Sequence, residues 1–170
     1  MATFIALLRA VNVGGTGKLP MTDLKKLCAG AGFTNIETYI ASGNVVLDSD
    51  GSEAEVKAAL EACLKRYAGK PVGVMVRTGA EMAAVLKNNP FPKAAPNRTV
   101  AVFLDRPPAR DALETVSNRN DEEVALGRRE LYISYGETMG RSKLKVPAAA
   151  AGTARNMNTV AKLAAMARRK

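Results

Sequence analysis

The sequence has no histidine. That excludes imidazole acid–base chemistry, histidine-based catalytic triads and the commonest protein metal ligand. It has two cysteines, Cys28 and Cys63, too few for a zinc cluster. Each falls on the apolar side of an expected helix, where a free cysteine behaves as a small hydrophobe. A disulfide between them would need a geometry that sequence does not show. No acidic cluster announces a magnesium site, so no metal or other cofactor is expected. Aromatic residues make up only 5% of the chain, few for the stacking platforms of single-stranded nucleic-acid binders. No apolar run approaches the roughly 20 residues of a membrane helix, so no membrane partner is expected. The first apolar run has no basic region before it and is interrupted by Arg9, unlike a signal peptide. The cytoplasm is the expected location.

What is present is an ordinary globular composition with an uneven charge. The 170 residues are 47% apolar, enough for one domain or two small ones. The net charge is +9. Residues 1–127 hold 15 basic and 14 acidic residues, whereas residues 128–170 hold 10 basic and 2 acidic ones. The excess therefore belongs to the C-terminal quarter, which is either an anion-binding surface or a solvated basic face.

The stretch Thr3-Phe4-Ile5-Ala6-Leu7-Leu8-Arg9-Ala10-Val11-Asn12-Val13-Gly14-Gly15 organises the first half. Its short, dense apolar run reads as a strand buried on both faces. It delivers Arg9 and Asn12 to a glycine loop, where the backbone can come close to a ligand. A Walker-type phosphate loop is rejected: Asn12 stands at its first glycine position and Leu19 follows Lys18. A helix follows Pro20. Strands are expected at 36–41 and 45–47, around the turn Ser42-Gly43-Asn44. Ser52-Glu53-Ala54-Glu55 is a capping box opening a helix with Val56, Leu60, Cys63, Leu64 and Tyr67 on one apolar face. A fourth strand follows at 72–76. The order β-α-β-β-α-β is the ferredoxin-like one.

Thr78-Gly79-Ala80-Glu81 is a second capping box, and residues 88–97 form a proline-rich connection. Thereafter a strand at 99–105, a helix at 107–116, a hairpin at 123–126 and 130–135, and a helix at 156–168 repeat the order without a final strand. The expected class is α+β: two ferredoxin-like βαββα(β) repeats, mostly antiparallel sheets with helices packed on them. The expected divisions are 1–78, a helix and connection at 79–98, and 99–170 with its basic C-terminal helix.

The right-handed crossover puts the loop after the first strand and the turn after the second at one sheet edge. Arg9, Asn12, Gly14 and Gly15 thereby approach Ser42, Gly43 and Asn44. Ser142, Arg155 and Asn156 form a second polar cluster, with Arg155 and Asn156 expected to open the last helix. An arginine opposes the helix dipole there, which points to an anion or an acidic partner.

The stretches Leu8 to Gly15, Thr38-Tyr39-Ile40-Ala41-Ser42-Gly43-Asn44-Val45, Asn89-Pro90-Phe91, Gly140-Arg141-Ser142-Lys143-Leu144 and Thr153-Ala154-Arg155-Asn156 together resemble the bacterial domain-of-unknown-function 1697 family. The departures are Ala10-Val11 where Gly-Ile is common, Ala41 where Gln is common, and Met157 where Trp is common. The resemblance implies an α+β fold of ferredoxin-like repeats and no particular activity. Its characteristic polar positions correspond to Arg9, Asn12, Ser42, Asn44, Ser142, Arg155 and Asn156.

Three functions compete. The preferred one is binding of a small anionic ligand, phosphate- or nucleotide-like, in a cleft between the repeats. The second is an enzyme acting on such a ligand without histidine or metal, with Ser42 or Ser142 as nucleophile and Lys143 or a carboxylate as base. The third is nucleic-acid binding through the basic C-terminal region.

Overall fold

The computed structural model describes residues 1–12, 18–137 and 139–169. Among them the protein is mixed α+β, with two four-stranded antiparallel sheets and four α-helices. The chain divides into two compact units: Met1–Met82 with Leu163–Lys170, and Ala83–Lys162.

In the first unit the strand Ala2–Leu8 (β1) is central. It pairs antiparallel with Asn44–Ser49 (β3) and Val74–Thr78 (β4), and Thr34–Tyr39 (β2) pairs with β3 at the outer edge. The sheet order is β2-β3-β1-β4. Phe4, Ala6 and Leu8 enter a core with Leu24 and Cys28 of Met21–Gly30 (α1) and Val56, Leu60 and Leu64 of Glu53–Ala68 (α2). Ile5 and Leu7, on the opposite face, are also fully buried, so β1 is covered on both sides. Burial of each such leucine favours folding by about 1.5–3 kcal/mol.

The helix ends follow local chemistry. The Ser52 hydroxyl accepts from Glu55 N at 3.2 Å and Glu55 Oε1 accepts from Ser52 N at 3.0 Å. These bonds hold the Glu55 carboxyl below its usual pKa. α2 stops at Gly69, whose φ of +73° is left-handed. Beyond β4, Thr78 and Glu81 make the second reciprocal cap, 2.9 and 3.1 Å, and open the helix Gly79–Lys87 (α3).

β2 starts two residues earlier than the alternation predicts, and its pairing shifts register between Thr34 and Glu37. Asn35 is left-handed there, φ 49°, and donates to Asp48 Oδ2 at 2.7 Å.

In the second unit Thr99–Phe103 (β5) is central. Glu123–Leu126 (β6) and Glu130–Ser134 (β7) form the expected hairpin, and the sheet order is β6-β7-β5-β8. Here β8 is Thr153–Asn156, which pairs with β5 from Phe103↔Thr153 to Val100↔Asn156. This corrects the expectation that the second half lacks a final strand. It also corrects the placement of Arg155, which lies in β8 opposite Ala101 and does not open a helix. Met157–Arg168 (α4) follows, with Asn156 Oδ1 accepting from Thr159 N at 2.9 Å as its cap.

The helix expected at 107–116 is also corrected: only a 3-10 turn forms, at Ala112–Thr115. β-branched Thr115 and Val116 stand at the end of that stretch and lower its helix propensity. Ser117 then exchanges two backbone hydrogen bonds with Lys145, 3.0 and 2.9 Å, which draws the chain into extended pairing. Loops and short turns therefore cover the core of Val100, Val102, Leu104, Leu131 and Ile133, through Tyr135, Leu144, Val146 and Ala148.

Candidate functional site

The end of β1 and the turn between β2 and β3 form one packed structure. Leu8 N donates to Gly43 O at 2.8 Å. Gly43 has φ +90°, and a Cβ there would stand 2.6 Å from Val11 Cγ2 and 2.9 Å from Leu8 Cβ. Only glycine admits both the dihedral and the approach. Asn12, at φ 56°, reaches across with its whole amide. Its Nδ2 donates to Leu19 O at 2.8 Å and to Ala41 O at 2.7 Å, and its Oδ1 accepts from Leu19 N at 2.6 Å. Asn44 is fully buried and donates to Tyr39 O at 2.8 Å and Ser42 Oγ at 2.9 Å.

Asn12, Ser42, Gly43 and Asn44 are thus brought together, with the polar atoms of Asn12 and Asn44 bonded into the scaffold. Gly14 and Gly15 lie outside the described residues.

Arg9 is exposed, and its backbone N donates to Gly73 O at 2.9 Å. It lines an open cleft of about 530 Å³ within the first unit. Lys18 and Lys70 line the same cleft, with Tyr67 and apolar walls from Val11, Leu19 and Val72. None of the described lining residues is acidic. Arg9, Lys18 and Lys70 bring positive charge to its lining.

Lys18, Tyr67 and Lys70 are the members that sequence reasoning missed. Tyr67 was expected on the buried face of α2, yet it is 44% exposed. Its hydroxyl donates to Asp23 Oδ2 at 2.7 Å, which pushes the phenol pKa up. Tyr67 also lines a second cleft of about 430 Å³, with Asp23, Lys26, Cys63 and Arg66. Cys63 Sγ accepts from Arg66 Nη2 at 3.4 Å, and both cysteines are free thiols. Burial, with a lesser contribution from Cys63, pushes the Cys28 thiol up to about 12, so it is an inert core group.

The second polar cluster lies in the other unit. Ser142 Oγ donates to the Glu122 carboxylate and accepts from Leu144 N at 3.3 Å. The bonds from Ser142 and Asn120 hold the Glu122 pKa below the usual range. A carboxylate so stabilised orients a hydroxyl but is a weak base for activating it. Arg155 is buried, Nη1 donates to Ala154 O at 2.9 Å, and desolvation lowers its pKa to about 10. Asn156 is spent on capping α4.

Among the described residues no group of three or more Cys, Asp or Glu could hold a metal, and no helix is long and apolar enough to cross a membrane. The Arg9 cleft offers hydrogen-bond donors and positive charge, the chemistry of oxyanion binding.

The model of a family described as "Protein of unknown function (DUF1697)" matches residues 1–132. The match spans the Arg9 cleft and stops short of Ser142, Arg155 and Asn156. No curated protein matches. Among solved structures, the conserved bacterial protein SP0830 from Streptococcus pneumoniae is similar at 23% identity and a TM-score of 0.80, covering 99% of each chain. At that identity the likeness concerns the fold alone.

Proposed function

We propose that this chain, which belongs to the DUF1697 family of proteins of unknown function, binds a small phosphate-bearing anion in the cleft of its first unit. One observation carries the reading: Arg9, Lys18 and Lys70 line one cleft that has no acidic residue among its described walls. Arg9 and the two lysines are the ligand contacts. Asn12, Ser42, Gly43 and Asn44 act one step behind them, holding the segment after β1 against the turn so that Arg9 is presented from a rigid edge. The shared order, β2-β3-β1-β4 and β6-β7-β5-β8, supports reading the two units as ferredoxin-like repeats with the ligand site on the first.

Isothermal titration with inorganic pyrophosphate tests the proposal. Binding should weaken as salt rises. Arg9→Ala and Lys70→Ala should each weaken it about 10- to 100-fold, the loss expected for a charge-assisted hydrogen bond. Absence of binding, or binding indifferent to both substitutions, would overturn it.

A further inference from the structure

We infer that the ligand of the Arg9 cleft is a nucleoside phosphate, its base stacked on Tyr67 and its phosphates held by Arg9, Lys18 and Lys70. The inference rests on the anion-binding reading and adds the ring. Tyr67 is the one aromatic residue among the large exposed hydrophobics of the described chain, in a protein only 5% aromatic. It lines the cationic cleft from the last turn of α2, just ahead of the Gly69 stop and Lys70. An isolated exposed tyrosine has many rotamers, but this one is held through its hydroxyl to Asp23 on α1 at 2.7 Å. A ring fixed at both ends loses little freedom when a base stacks on it.

The cleft volume of about 530 Å³ falls within the range of small-molecule pockets, roughly 300–1,000 Å³. A phosphorylated sugar would satisfy the cations but has no π-face to offer the tyrosine. A nucleotide uses both, because a base presents a π-face and the phosphates present the charge.

The test compares ATP with inorganic tripolyphosphate, which share a triphosphate and differ in the nucleoside. Both are titrated into the wild-type chain, Tyr67→Leu and Tyr67→Phe, with thermal melts to confirm that each variant folds. ATP should bind the wild type about 5- to 150-fold more tightly than tripolyphosphate, the range expected of one base on one aromatic ring. Tyr67→Leu should abolish that preference, bringing ATP affinity down to that of tripolyphosphate in the same variant, while Tyr67→Phe should retain most of it. Equal affinity for the two probes, or a preference that survives Tyr67→Leu, overturns the nucleotide and leaves the anion site standing. No binding of either probe overturns both readings.

Discussion

The two units share a strand order and differ in what covers it. In the first, Leu8 N donates to Gly43 O at 2.8 Å; in the second, Leu104 N donates to Arg129 O at 2.9 Å, the corresponding place in the register. Above that common frame, α1 and α2 place five buried side chains on the first sheet, whereas loops and 3-10 turns cover the second. Strand order survives because it depends on backbone pairing and an alternating apolar pattern, which many side chains satisfy. The covering layer depends on whether a stretch holds a helix, and the stretch after β5 holds only the 3-10 turn Ala112–Thr115. Between helix ends and sheet edge the first unit gains its cationic cleft.

The largest effect that sharpens this contrast is in the covering layers. Leu60→Ala should cost about 2–5 kcal/mol, because the fully buried side chain leaves a cavity under α2. Leu144→Ala, at a half-buried loop position, should cost about 1–2 kcal/mol. Urea denaturation measures both, and equal costs would break the comparison. Next come the turns. Gly43→Ala combines left-handed strain with contacts under 3 Å and should cost about 2–4 kcal/mol. Gly127→Ala meets Tyr132 Cε2 at 2.8 Å without a left-handed φ and should cost less.

A smaller effect separates the two asparagines. Asn12→Ala removes three side-chain hydrogen bonds and should cost about 1–3 kcal/mol, together with a loss of pyrophosphate affinity. Asn156→Ala removes one helix cap and should cost about 1 kcal/mol, with affinity unchanged. Smallest at neutral pH are two buried acids. Cys28 in the first unit and Tyr132 in the second are both raised to about 12, each mainly by burial. Both stay protonated in the fold while the unfolded chain ionises. The contribution of Cys28 should therefore be level below pH 9 and fall from about pH 9 to about 12, and that of Tyr132 should fall from about pH 10 to about 12, while Arg155, lowered to about 10, works in the opposite direction over that last range. Cys28→Ala should remove the first descent and Tyr132→Phe the second, read from pH-dependent unfolding.

The helix caps were legible because they are local: Ser52 with Glu55 and Thr78 with Glu81 announce themselves within four residues. β1 was legible from the density of its apolar run. β8 was not, because four residues with an arginine at the third carry no periodic signal until β5 is beside them. Tyr67 misled for a geometric reason. It continues the spacing of Leu60, Cys63 and Leu64, but by the last turn of α2 it is 44% exposed. Lys18 enters the sequence reading only within the rejected phosphate loop and Lys70 carries no signal of its own, and the folded cleft is what brings them to one lining with Arg9. The sequence placed Asn12 and Asn44 among ligand contacts, and in the fold their side-chain amides donate to Leu19 O, Ala41 O, Tyr39 O and Ser42 Oγ.

The register shift in β2 bears on how the protein behaves in crowded solution. An outer strand with a straight row of unpaired amides and carbonyls is a template on which another molecule can add a strand. Here Asn35 turns the backbone left-handed and is tied to Asp48, and Glu37 stands exposed beside it. A second copy arriving at that edge meets a broken ladder and the exposed carboxylate of Glu37. Replacing Asn35 with a β-branched residue, which resists the left-handed φ, would strain or straighten this edge in the monomer itself and should favour concentration-dependent association.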